Sequence, residues 1–97
     1  MIKHIVLFKF KTSPEKTGKM QEIKNELEKL TGIIPELQEI HVGLNTNPDE
    51  KWDMSLEAIV ADLEALNAYA NHPAHQQIVK TLIAPMKEDR ACVDYPF

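Results

Sequence analysis

Cysteine occurs once in the 97 residues, at Cys92, so no internal disulfide can form and nothing points to an oxidising compartment. Glycine occurs three times, and neither Gly32 nor Gly43 belongs to a pattern that cradles phosphate. Long hydrophobic runs are missing as well. The opening strand-like segment holds only the four-residue run Ile5-Val6-Leu7-Phe8, flanked by Lys3 and Lys9. It is too short to cross a bilayer, and no small-residue cleavage site follows it, so a secretory signal is not expected. An excess of basic charge is also lacking. With a net charge of -4 the chain has no field to hold a phosphate backbone, which argues against nucleic acid as a partner. What is present is a hydrophobic share of 43% against 27% charged residues, the balance of a folded globule rather than a disordered chain. One soluble, cytoplasmic domain over residues 1–97 is the expectation, with no repeat, low-complexity tract or membrane association.

The order of elements reads strand, helix, strand, strand, helix, strand. Residues 2–11 are rich in Ile, Val, Leu and Phe and short enough for a strand. Ser13 is positioned to cap a first helix with Pro14 at its opening position, and Met20, Ile23, Leu27 and Leu30 recur at helical spacing before Gly32 and Pro35. Leu37–Leu44 and Met54–Ala61 alternate as strands around a loop at Asn45–Lys51. Asp62 can cap a second helix that Pro73 interrupts, with Asn71 or His72 capping its restart. Arg90–Phe97 reads as the last strand. The order βαββαβ implies an α+β, ferredoxin-like sandwich: a four-stranded antiparallel sheet with two helices on one face.

The first strand carries apolar side chains on both faces, with His4, Val6, Phe8 and Phe10 on one and Ile5 and Leu7 on the other. The last strand sets Ala91, Val93, Tyr95 and Phe97 against Cys92 and Asp94. An antiparallel sheet covered on one side needs one apolar face only. The second apolar row therefore predicts a homodimer joined through the open sheet face.

The polar residues of interest cluster around Tyr69-Ala70-Asn71-His72-Pro73-Ala74-His75. Six positions of unbroken helix would separate Tyr69 from His75 by about 240°; the break at Pro73 lifts that constraint and lets both face the sheet. There they would meet His4 and Asp94, in a pocket lined by Val6, Phe8, Leu56, Ile78 and Val79. A neutral imidazole can act as a general base, and a phenol can donate to a carbonyl oxygen as charge develops on it. Each residue also has a plain structural role: His4 as a hydrogen-bonded core histidine, Tyr69 as packing, His72 as a cap, Asp94 as a strand anchor. A metal site at His72-x-x-His75 is disfavoured because Pro73 spoils the regular helix that would aim both rings together. Cys92 has no evident activation as a nucleophile. No cofactor is expected. The residues leave open a small-molecule-binding domain, a cofactor-free enzyme on a small carbonyl compound, and a purely structural homodimer.

Ile2-Lys3-His4-Ile5-Val6-Leu7-Phe8-Lys9-Phe10-Lys11, Ile33-Ile34-Pro35, Val42-Gly43-Leu44-Asn45, Tyr69 to His75 and Val93-Asp94-Tyr95, in this order, resemble the stress-responsive α/β-barrel domain family, which includes olivetolic acid cyclase-like proteins. The resemblance spans essentially the whole chain. It implies a ferredoxin-like protomer and a dimeric α+β barrel. By analogy with the cyclase-like members it implies His75 as base, Tyr69 as carbonyl polariser, Asp94 as the group that orients His75, and His4 as a pocket donor. It also implies a narrower cavity, because Ile78 and Val79 stand where the cyclase-like pocket is opened by glycine.

Overall fold

The alternation of the first strand places Val6, Phe8 and Phe10 under the helices, where all three are buried, and leaves Ile5 and Leu7 half-buried on the opposite face. A computed structural model describes residues 1–97. Its elements are β1 (Ile2–Phe10), α1 (Lys16–Glu28), β2 (Glu39–Leu44), β3 (Met54–Val60), α2 (Leu63–Asn71), α3 (Pro73–Ile78) and β4 (Lys87–Pro96). The strands form one antiparallel sheet in the order β2-β3-β1-β4, the βαββαβ arrangement with its second helix broken in two. The helices all lie over one face. Ile23 and Leu27 of α1 are fully buried there, each contributing about 1.5–3 kcal/mol by leaving water. They pack with Ile40 and Val42 of β2, Met54, Leu56 and Ala58 of β3, and Leu66 and Tyr69 of α2 in a single core.

Several boundaries differ from the sequence reading. The first helix starts at Lys16, and Ser13 does not cap it. Glu15 stands at the N-cap without a side-chain hydrogen bond, and Ser13 instead closes a turn by accepting from Lys16 N at 3.2 Å through its carbonyl. The helix is held from its flanks instead. Lys16 Nζ lies 3.0 Å from Asp53, whose other oxygen accepts from Phe10 N at 2.8 Å. Further along, Lys24 donates to the Val42 carbonyl at 2.7 Å and ties α1 to β2. The second strand begins at Glu39 rather than Leu37, and the third ends at Val60. The last strand starts three residues early, at Lys87. Its first residues carry charge and no apolar alternation, because the ladder with β1 holds them there rather than burial.

That ladder contains one irregularity. Lys9 pairs with Asp89 and Phe10 with Lys87, so Glu88 has no partner and forms a β-bulge. A bulge shifts the facing of the residues beyond it. Lys87, opposite Phe10, and Arg90, opposite Phe8, consequently belong to the same, helix-covered face.

Candidate functional site

Capping chemistry explains how the second helix breaks. Asp62 accepts from Ala65 N at 2.8 Å and starts α2. At His72 the backbone turns extended (φ -62°, ψ 137°), as a residue before proline prefers. The His72 Nδ1 accepts from Ala74 N at 3.0 Å and caps α3, with Pro73 at its first position. In a continuous helix Ala74 N would donate to the Ala70 carbonyl. With that donor diverted, the Ala70 oxygen accepts instead from two side chains, His75 Nδ1 at 2.8 Å and Gln76 Nε2 at 2.7 Å. The break thus turns a backbone carbonyl into the anchor of the His75 ring.

This anchor fixes the tautomer. A carbonyl oxygen only accepts, so Nδ1 carries the proton and the lone pair of Nε2 is free. Burial pushes the His75 pKa down; the Ala70 hydrogen bond raises it again in part, and the charges of His4, Arg90 and His72 add to the lowering. The ring is neutral at pH 7 as a result. Tyr69 lies beside it, with ring centroids 4.6 Å apart at 44°, and His4 meets the Tyr69 ring edge-on at 6.3 Å. Tyr69 is 1% exposed. Burial pushes its pKa well up, against a smaller lowering by Arg90, so the phenol stays protonated. Its hydroxyl makes no hydrogen bond within the chain, yet no buried side-chain oxygen or nitrogen is left without a partner. The oxygen therefore reaches open space.

That space is a cavity of about 220 Å³ between the sheet and the broken helix. The expected residues His4, Val6, Phe8, Leu56, Tyr69, His75 and Val79 all line it. Two do not. Ile78 turns into the core, 7% exposed, while its neighbour Val79 faces the cavity. Asp94 is the cross-strand partner of His4, and its carboxylate is hydrogen-bonded to His4 Nδ1. Asp94 therefore orients His4 and not His75, whose orienting partner is the Ala70 carbonyl. Gln76, Lys87 and Arg90 were not foreseen, although all three line the cavity. Gln76 shows itself only through the freed carbonyl, and the two cations only through the bulge.

His4, Cys92 and Asp94 bring three potential metal-donor atoms within 4.8 Å of one another. The chemistry of the set is unfavourable. Metal binding needs a thiolate, and the Cys92 pKa is pushed up by burial, by the Asp94 charge and by hydrogen bonding to Asp94, against a partial lowering by the charge and hydrogen bonding of Arg90. The same protonation leaves Cys92 a poor nucleophile. His72 and His75 each commit Nδ1 to separate backbone groups.

A family model, the stress responsive A/B barrel domain, matches residues 2–97. The chain belongs to that family. A dimeric protein of unknown function with a ferredoxin-like fold from Bacteroides fragilis is 41% identical to it, with a TM-score of 0.93 over 99% of this chain and 95% of the other. A dimeric ferredoxin-like protein of unknown function from Thermobifida fusca is 28% identical, with a TM-score of 0.84 over 99% and 90% of the two chains. A stress-response A/B barrel domain-containing protein of Arabidopsis thaliana is 29% identical over 99 residues, covering 98% of this chain and 46% of that protein. The chain thus spans about half the length of this plant relative. The ferredoxin-like fold and the family expected from the sequence are both borne out. No helix is long and apolar enough to cross a membrane.

Proposed function

We propose that this family member binds a small, mostly apolar carbonyl compound in the cavity between the sheet and the broken helix. The Tyr69 hydroxyl carries this reading: a protonated donor without a partner in the chain, on a buried ring, opening onto the cavity. A donor so placed is satisfied by an acceptor oxygen from a ligand. The cavity is smaller than the roughly 300–1,000 Å³ of sites for drug-sized molecules, and Val79 contributes to keeping it so.

The His75 tautomer favours a second, catalytic reading, a cofactor-free cyclase- or lyase-like enzyme. The free Nε2 would take a proton from the carbon next to the ligand's carbonyl. The electron pair would move onto the carbonyl oxygen, and Tyr69 would donate its hydrogen bond there as negative charge develops. Return of the proton to that carbon would close the cycle, as would attack of the enolate carbon on a second carbonyl, with the imidazolium proton passing to the new alkoxide oxygen. His4, fixed by Asp94, would contact the ligand from the sheet side.

2-Hexanone offers a direct test. It is expected to shift the His75 imidazole and Tyr69 ring signals in NMR spectra and to bind roughly 5- to 10-fold more weakly to Tyr69→Phe, the loss of one hydrogen bond. In D₂O the protein should speed deuterium uptake next to the carbonyl, and His75→Ala should slow that uptake about 100-fold or more. No shift of either signal overturns the binding reading. Binding without accelerated exchange removes the base and leaves the binding domain.

We also infer that two copies pair through the uncovered sheet face. Both solved relatives described above are dimeric. On this chain Ile5, Leu7, Ala91 and Val93 form an apolar hollow on that face, with Val93 54% exposed. An unpartnered apolar row of this kind is unusual on a monomer.

A further inference from the structure

The cavity is apolar over most of its wall, yet two cations stand on it. Lys87 and Arg90 are both lining residues. Neither has a carboxylate within 4 Å, although most of the other lysines do. The strand that carries them sorts its charges. Glu88 pairs with Lys9 at 3.6 Å and Asp89 with Lys51 at 3.9 Å, so both neighbouring carboxylates are engaged elsewhere. The nearest other acid on the strand, Asp94, is held by His4.

This arrangement depends on the bulge. In a regular strand two residues three apart point to opposite faces. The unpaired Glu88 restores parity and brings Lys87 and Arg90 to one face, as bulges beside binding sites do when they re-aim a side chain. Arg90 also acts electrically on Tyr69, His75 and Cys92, so its guanidinium stands close to the polar end of the cavity. Both residues are exposed, so water serves them while the cavity is empty, and an anion held there would be attracted to both.

We propose that the ligand is a small carboxylic acid, whose apolar chain lies against Val6, Phe8, Leu56 and Val79 and whose carboxylate is bound by Arg90 with Lys87. Resting on the carbonyl reading above, this narrows the class to short oxo acids, with the oxo group at Tyr69 and the acid group at Arg90. A planar guanidinium matches a carboxylate in paired hydrogen bonds. Phosphate sites, by contrast, are built mainly from backbone amides at glycine-rich loops or helix starts, and the wall of this cavity holds no glycine.

Hexanoate and hexanamide, equal in shape and different in charge, test the assignment. With the intact chain at low ionic strength, hexanoate should bind about ten-fold more tightly, the worth of one charge-assisted contact, with a shift of the His75 signal. Its affinity should fall as salt is raised while that of hexanamide holds. In Arg90→Gln, and more fully in Arg90→Gln with Lys87→Gln, the ratio of hexanoate to hexanamide affinity should shrink to within about two-fold. Both residues are exposed, and unchanged circular dichroism would verify the fold. Equal binding of the two ligands with the His75 shift intact would overturn the carboxylate assignment and leave the cavity as a neutral-ligand site. So would a preference that survives the double substitution. If neither ligand moves the His75 signal while 2-hexanone does, the carboxylate assignment alone falls. If none of the three moves it, the cavity reading falls too.

Discussion

The behaviour of His75 follows from what its two nitrogens can reach. One is consumed by the Ala70 carbonyl, and the other keeps its lone pair in a half-buried setting where acquiring a proton is unfavourable. A histidine whose pKa is lowered on folding binds fewer protons in the native state than in the unfolded one. Stability then rises with pH across that window. Its contribution is complete above the unfolded imidazole value of about 6.5 and is lost as pH falls below it through the lowered native value. His75→Gln can keep a donor to Ala70 without titrating. Between pH 7 and pH 5 the melting temperature of the parent chain should therefore fall further than that of His75→Gln; parallel curves would show that His75 is not held neutral by the fold. This residue was legible in the sequence because Pro73 announces the break that frees it. Its orienting partner was not. Which acceptor serves a ring nitrogen depends on a backbone oxygen that becomes available only when Ala74 N turns to His72.

At the scale of the elements, α2 and α3 behave as one helix with a designed fault. His72 terminates the first part, accepts from Ala74 N and so starts the second. Removing that cap with His72→Ala should cost about 1 kcal/mol, seen as a melting temperature lower by roughly 4–8 °C for a domain of this size. It should also loosen the Tyr69–His75 geometry, broadening both ring signals. Sharp, unmoved signals would mean that Pro73 alone sets the break. Strand β1 was readable from its alternation, and Asp62 from its position before an apolar helical pattern, because both signals are local. The first residues of β4 were not readable. Lys87, Glu88 and Asp89 resemble a charged loop and become strand only through pairing with β1. The bulge at Glu88 is a property of two strands in register, so nothing in either strand alone shows that Lys87 and Arg90 share the cavity wall.

For the whole molecule, the sheet divides two tasks between its faces: the helix-covered face encloses the cavity, and the other presents Ile5, Leu7, Ala91 and Val93. If the open faces join two copies, Leu7→Asp places a charge in the middle of the contact, where a desolvated and unpaired carboxylate is costly. Sedimentation should shift from dimer to monomer, or the chain should unfold where the monomer is not stable alone. A parent chain that sediments as a monomer would exclude this pairing. The pairing of β1 with β4 has a further consequence, for the order in which the protein folds. His4 and Asp94 are direct partners across 90 residues of chain, so the loop between them must close before either gains its contact. Contacts of such separation slow folding. Helices α1 and α2, which depend on neighbouring residues, can form early, while the wall bearing Arg90 is laid down only when the two distant strands meet. A chain halted before that meeting would possess helices yet lack one wall of the cavity, so binding of the proposed ligand would report the final step of folding.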